Sequence, residues 1–276
     1  MSRARSASPS PLAWDLGNIP PGIPWAGVDE AGRGAWAGPV VAACAVLDRE
    51  CCARWEHVLR HARDSKQLRP ERRESLAGEL KALLPAWSVA ERDPLAIDRD
   101  NILEATKDAM RQAIAGCSLR PRLVLVDGDR APGSGLLERT VVDGDALSCA
   151  IACASILAKA HRDAQMRVLD ALHPGYGFAR HKGYGTQGHQ EALAALGPSA
   201  VHRMSYAPVA RLARPDAAVF RELHAALMAC GTAADLRAWV EACLRPAYGR
   251  LKPAWVEALR ERYSDRLMRI AGAGRG

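Results

Sequence analysis

The stretch from Trp25 to Leu47 constrains the fold more than any other part of the chain. Trp25-Ala-Gly-Val-Asp-Glu30 reads as a strand, Gly32-Arg33-Gly34 as a turn, and Pro39-Val-Val-Ala-Ala-Cys-Ala-Val-Leu47 as a second strand that must be buried on both faces. Further along, the spacing predicts a helix over 70–84 with Pro70 in its first turn and a short third strand over 88–92. An amphipathic helix over 97–115 places Ile102, Ala105, Ala109, Met110 and Ala113 on one stripe. Leu123 to Asp127 forms another apolar strand, and residues 146–172 form a long helix. Strands alternating with helices, beginning with two adjacent strands, define an α/β or mixed-sheet domain.

Composition bounds the rest. The chain has 276 residues, 49% hydrophobic and 25% charged, enough for a core of its own, and no run of eighteen apolar residues that could span a membrane. Residues 1–22 are rich in Ser, Pro and Arg and lack the apolar stretch of a secretory signal, so a flexible leader and a cytoplasmic protein are expected. Eight cysteines show no Cys-x-x-Cys pair and no zinc spacing, which favours core packing over a disulfide or metal framework. The net charge is +7, and residues 210–276 hold 12 basic against 7 acidic residues. That segment is helical in pattern and basic. It is expected either to cap the domain through Trp239, Leu244, Trp255 and Leu259 or to lie along a nucleic-acid duplex.

Four acids stand where a sheet presents its functional edge. Asp29 and Glu30 end the first strand, Asp127 ends a later one before Gly128, and Asp145 opens a helix after Gly144. Consecutive strand residues face opposite ways, so Asp29 and Glu30 can share a pocket only where the strand ends or bends. Carboxylates packed together repel one another and hold protons unless a cation neutralises them, and hard divalent ions prefer such oxygen ligands. Taken singly, Asp145 reads as a helix cap and Asp127-Gly128 as a turn; taken jointly, the four suggest a metal-dependent phosphoryl-transfer site.

Gly27-Val-Asp-Glu-Ala-Gly-Arg-Gly-Ala-Trp-Ala-Gly-Pro-Val-Val-Ala42 resembles the opening signature of ribonuclease HII, the type 2 ribonuclease H family. Asp64-Ser-Lys-Gln-Leu68, Asn101-Ile-Leu, Val126-Asp-Gly128, Ala154-Ser-Ile-Leu-Ala-Lys159, Arg162-Asp163, His181-Lys-Gly-Tyr184 and His202-Arg-Met-Ser-Tyr-Ala-Pro-Val209 follow in the family's order. The resemblance implies a ribonuclease H-like mixed five-stranded sheet flanked by helices over residues 23–212, between a leader (1–22) and a basic helical C-terminal extension (213–276). It further implies endonucleolytic cleavage, with two Mg²⁺ or Mn²⁺ ions, of RNA in RNA–DNA hybrids and at ribonucleotides embedded in duplex DNA. The products would carry 3′-hydroxyl and 5′-phosphate ends, and the enzyme would act as a monomer.

Asp29, Glu30, Asp127 and Asp145 fall on the family's catalytic, metal-holding positions. Gly32, Arg33 and Gly34 resemble the turn that reads the ribose 2′-hydroxyl, and Tyr184 the tyrosine that packs on the sugar. Lys66, Lys159, Arg162, His181 and Lys182 are natural phosphate contacts. The chain departs from the family pattern at Asp143, where a lysine is usual, at Leu147, often basic, and at Trp36, where a smaller residue is common. The competing expectations are a resolvase of the same fold, which would need no 2′-hydroxyl, and an inactive binding module. The Gly-Arg-Gly turn with Tyr184 argues against the first, and the intact acidic set against the second.

Overall fold

The computed structural model describes residues 10–64, 69–212, 215–251 and 253–273. One five-stranded sheet organises the chain, with β1 Trp25–Ala31, β2 Val40–Leu47, β3 Ala86–Arg92, β4 Leu123–Asp127 and β5 Glu138–Val141 in the order β3-β2-β1-β4-β5. β2 and β3 run antiparallel to their neighbours, whereas β4 is parallel to β1 and β5 parallel to β4. The helices before the C-terminal segment are α1 Pro11–Asn18, α2 Arg49–Leu59, α3 Pro70–Leu83, α4 Pro94–Asp100, α5 Ile102–Ala115, α6 Gly144–Leu147, α7 Cys149–Leu172, α8 Phe178–His181, α9 Gln187–Leu196 and α10 Ala207–Ala210. The extension holds α11 Pro215–Ala229, α12 Ala233–Trp239, a π turn at Val240–Leu244, α13 Arg245–Ala247 and α14 Pro253–Ala273.

The period-2 alternation of the strands sorts the core into two layers. Val28, Cys44, Val46, Val124 and Val126 face α5, meeting Ala109, Met110 and Ala113. Val41, Ala43, Ala45 and Leu125 face α7, meeting Ile151, Ala154 and Leu157. The α7 layer is unusually close at one point: a Cβ on Gly27 would stand 2.0 Å from the Ala150 carbonyl carbon, so only glycine lets α7 lie there. That contact sets the depth at which α7 crosses β1 and brings its polar stripe to the end of the strand.

Four local expectations need correction. The helix expected over 97–115 is broken at Asn101, whose backbone is left-handed (φ 67°) and whose side chain accepts from the Leu103 and Glu104 amides. The helix expected from Ala146 begins as the separate α6, because Ser148 turns extended and caps α7 by accepting from Ile151 N. β5 was not read from the sequence: its Glu-Arg-Thr-Val carries little apolar signal, and its pairing with β4 defines it. The leader expected to be flexible is ordered over its described part. α1 buries Leu12 and Asp15, and Asp15 Oδ2 accepts from Ala150 N at 2.9 Å, at the first turn of α7.

The eight cysteines are free thiols, most of them buried, as expected. Among the described residues no helix is long and apolar enough to cross a membrane.

Candidate active site

The C-terminal ends of β1 and β4 open on a cavity of about 420 Å³ lined by Asp29, Glu30, Ala31, Gly32, Arg33, Gly34, Arg73, Asp127, Ser155, Lys159 and Tyr184. Alternation puts Asp29 on the α7 side of the sheet, where the Ser155 hydroxyl hydrogen-bonds to it. Glu30 comes to the same cavity because β1 ends there: Asp29 Oδ1 accepts from Glu30 N at 2.7 Å, and Glu30 in turn meets Arg33 Nη1 at 3.4 Å. Asp127 Oδ1 accepts from Gly144 N at 2.7 Å, tying the end of β4 to α6. A Cβ on Gly144 would stand 3.0 Å from that oxygen and closer still to Ile151, so the residue before Asp145 has to be small.

Electrostatics follow from this crowding. Burial, and then the Glu30 and Asp127 charges, push the Asp29 carboxyl well above the usual carboxylate range. Glu30 is raised chiefly by burial, with Arg33 opposing. Lys159 is lowered by burial, although Asp163 holds it through a 2.5 Å ion pair. Asp163 also pairs with Arg73 at 3.2 Å, so one buried carboxylate presents two cations to the rim.

Gly32 adopts φ +94°, and a Cβ there would lie 2.0 Å from Arg162 Nε. Behind the turn, Arg162 donates to the carbonyls of Pro39 (2.9 Å) and Ala37 (3.2 Å). Arg203 donates to those of Gly38 (3.0 Å) and Arg33 (2.8 Å), and the Tyr206 hydroxyl also donates to the Arg33 carbonyl. Two buried guanidinium groups thus hold the Gly-Arg-Gly turn open toward the cavity. Tyr184 stands at the rim, partly exposed, with the Arg162 guanidinium 5.5 Å from its ring centre.

Of the residues singled out from sequence, Asp29, Glu30, Asp127, Gly32, Arg33, Gly34, Lys159 and Tyr184 meet in one cavity. Asp145 is buried on α6 and does not line it. Arg162 is fully buried, its guanidinium pushed down to about 10 by desolvation, and donates to the carbonyls behind the turn. His181 is likewise turned into the fold: Nε2 reaches the Tyr176 carbonyl at 2.7 Å and Nδ1 accepts from Gly183 N. Lys182 is half-buried in left-handed backbone and does not line the cavity, and Lys66 lies outside the described residues.

Asp143 is exposed with φ 53°, and Leu147 is exposed as well. Trp36 lies against Gly185, beside the Tyr184 loop. Ser155 and Arg73 were missed as cavity residues. Ser155, Lys159 and Asp163 recur four apart on α7, a stripe the sequence does show; Arg73 sits in an evenly charged helix that gives no such signal.

A mixed sheet in this order, with carboxylates at the ends of its central strands beside a braced glycine turn, defines a ribonuclease H-type nuclease. The comparisons agree. The family model described as Ribonuclease HII matches residues 26–209. Ribonuclease HII of Verminephrobacter eiseniae (strain EF01-2) is 48% identical over 198 residues, covering 70% of this chain and 92% of that protein. Ribonuclease HII of Albidiferax ferrireducens is 44% identical over 214 residues, covering 78% and 98%. The crystal structure of ribonuclease H2 from Pyrococcus horikoshii OT3 superposes with a TM-score of 0.58 at 26% identity, covering 69% of this chain and 97% of that one. The chain belongs to the ribonuclease HII family and is a hydrolytic endoribonuclease.

Proposed function

We propose that this enzyme cuts the RNA strand of RNA–DNA hybrids and also cuts at single ribonucleotides within duplex DNA, leaving 3′-hydroxyl and 5′-phosphate ends. One observation carries the reading: the carboxylates Asp29, Glu30 and Asp127 share a cavity with Gly32–Gly34 and Tyr184. The donor set suits a divalent cation. It consists of hard oxygens, and a bound cation would offset the burial and the mutual repulsion that raise Asp29. Among the described residues no three His, Cys, Asp or Glu side chains stand close enough to hold one ion as they are. Asp29, Glu30, Asp127 and, from α6, Asp145 would hold two Mg²⁺ or Mn²⁺ ions, which supply an activated water and charge stabilisation for phosphodiester hydrolysis.

The chain's own groups do the rest. The open backbone of Gly32 and Gly34 lets peptide groups approach a ribose closely, and a hydrogen bond to the 2′-hydroxyl is what separates RNA from DNA. A site built for that hydroxyl rejects the analogue lacking it by about 10⁴–10⁵. Tyr184 offers an apolar face to the neighbouring sugar. Lys159, Arg33 and Arg73 counter phosphate charge at the rim, and Lys66 and Lys182 extend that role along the strand. The reading includes a monomer working in the cytoplasm.

The test uses three duplexes: an RNA–DNA hybrid, a DNA duplex with one ribonucleotide, and the all-DNA control, each with Mg²⁺, Mn²⁺ or chelator. Cleavage of the first two with either ion, and of none without it, is expected. Cutting of the all-DNA duplex at a similar rate would overturn the role of the glycine turn.

A further inference from the structure

Three histidines lie packed behind Tyr184, and neither the acidic set nor the glycine turn uses them. His181, His189 and His202 are all buried. His181 and His189 stack with ring centres 4.5 Å apart, and the Nε2 atoms of His189 and His202 are 3.0 Å apart.

The hydrogen bonds around them admit one arrangement of protons. The Ser199 hydroxyl lies 2.8 Å from His202 Nδ1 and could donate or accept, but Ser199 N, at 2.9 Å, can only donate, so Nδ1 accepts and the neutral ring carries its proton on Nε2. That proton points at His189 Nε2, which must accept. His189 then carries its own proton on Nδ1, 3.0 Å from the Tyr184 carbonyl, and donates there. By the same reasoning His181 Nδ1 accepts from Gly183 N at 3.2 Å, and Nε2–H donates to the Tyr176 carbonyl. The relay runs one way, from Ser199 N through two rings to the backbone of Tyr184, while His181 grips the preceding amide. Protonating His189 would set two N–H groups against each other across 3.0 Å, and burial lowers its pKa to about 4, consistent with a neutral ring. A buried donor or acceptor left without a partner is costly, which selects this pattern over its alternatives.

We infer that His189 and His202, with His181, are positioning residues: a fixed-tautomer relay that clamps the Gly183–Tyr184 backbone and so holds the Tyr184 ring at the cavity rim. The inference rests on reading Tyr184 as the surface against which the substrate sugar packs. Pure packing could be supplied by any aromatic, whereas the relay needs two ring nitrogens with defined and opposite roles at each step.

Two measurements test it. In full-length protein with ¹⁵N-labelled histidine at pH 7, ring-nitrogen shifts should report protons on Nε2 of His202 and His181 and on Nδ1 of His189. A His189 ring protonated at Nε2, or at both nitrogens, overturns the relay. The second measurement is a cycle of single-turnover cleavage on an RNA–DNA hybrid with His189→Phe, Tyr184→Ala and the pair. His189→Phe keeps the stacked ring but breaks both hydrogen bonds; His202→Asn, which still accepts from Ser199 N, replaces it should that variant not fold. The first substitution should slow cleavage by about tenfold in the wild-type background and by less than about twofold when Tyr184 is already Ala. Equal losses in both backgrounds overturn the positioning role. If Tyr184→Ala alone cleaves at the wild-type rate, the reading of Tyr184 fails and the positioning role fails with it, whatever the tautomers.

Discussion

Asp29 carries its charge where burial and two neighbouring carboxylates oppose it, and this makes it the most informative residue to change. Asp29→Asn keeps the shape and the hydrogen bond to Glu30 N but removes an oxygen that we propose holds a metal ion. Single-turnover cleavage should fall by about 10³-fold, while hybrid affinity, supplied by rim cations, stays within a few-fold. Cleavage within tenfold of wild type at saturating Mg²⁺ would refute the assignment. Raised carboxyl groups also predict a pH effect with a definite sign. Asp29 and Glu30 would have to lose their protons to bind a cation, and both are raised from their ordinary values, Asp29 well above. The Mg²⁺ concentration needed for half-maximal rate should therefore fall as pH rises above the usual carboxylate range; a requirement independent of pH would contradict the crowding. Gly32 is decided by space and backbone together. Its φ of +94° and the Arg162 side chain leave no room for a methyl group, so Gly32→Ala should lower both melting temperature and cleavage, whereas Gly34→Ala, with nothing nearer than 4.0 Å, should fold normally.

At the scale of elements, the docking of α1 on α7 makes stability depend on pH. Burial raises the Asp15 carboxyl from 3.8 to about 6. A carboxyl raised on folding contributes stability that is fully present below 3.8 and lost as pH rises through about 6, amounting to about 3 kcal/mol at most. Asn at this position can still accept from Ala150 N and never ionises. The stability of Asp15→Asn relative to wild type should therefore rise between pH 4 and pH 7, as read by chemical denaturation at each pH. A difference that stays flat would show that Asp15 is not held protonated. The same contact bears on α1, whose Pro-rich, Ser-rich lead-in looks unstructured: Leu12 enters the core beside α7, and the Asp15 carboxyl meets the amino end of α7 across 135 residues of chain. Asn101 and Ser148 break their helices for the converse, purely local reason. Both have short polar side chains that satisfy the next helix's first amides, a signal present in the sequence but outweighed there by helical periodicity.

On the scale of the whole molecule, the extension is joined to the body through one apolar core. Phe220, Leu227, Trp239 and Trp255 pack with Leu95 of α4, Leu193 of α9, Met204 and Val209, and Trp36 leans on the same cluster. Several of its arginines are answered locally: Arg245 by Glu241 (2.9 Å), Arg260 by Glu257 (3.4 Å) and Arg262 by Asp93 of the body (2.8 Å). Of the two expectations for this segment, the geometry supports the cap. Trp255→Ala should cost about 3–5 kcal/mol. Replacing Arg245 and Arg260 with Gln should leave the salt dependence of hybrid binding unchanged. A slope flattened by about 0.9 for each arginine would instead lay the extension on the duplex.

Strands β1 to β4, the order of the motifs and the acids Asp29, Glu30 and Asp127 were legible in the sequence because each rests on local chemistry: apolar runs, glycine turns, and carboxylates at strand ends. The tertiary structure alone decided how Asp29 and Glu30 escape strand alternation to share a cavity, and that Arg162 and His181 are buried with their nitrogens on backbone groups behind the site. It also decided that Arg73 reaches the cavity, since nothing in the charge pattern of its helix sets it apart from the arginines beside it. Charge and hydrogen-bonding capacity are written in a residue's type, but whether a guanidinium meets a phosphate or a backbone carbonyl depends on how deeply the surrounding elements bury it. That depth is set by contacts such as Gly27 against Ala150, made between residues far apart in the chain.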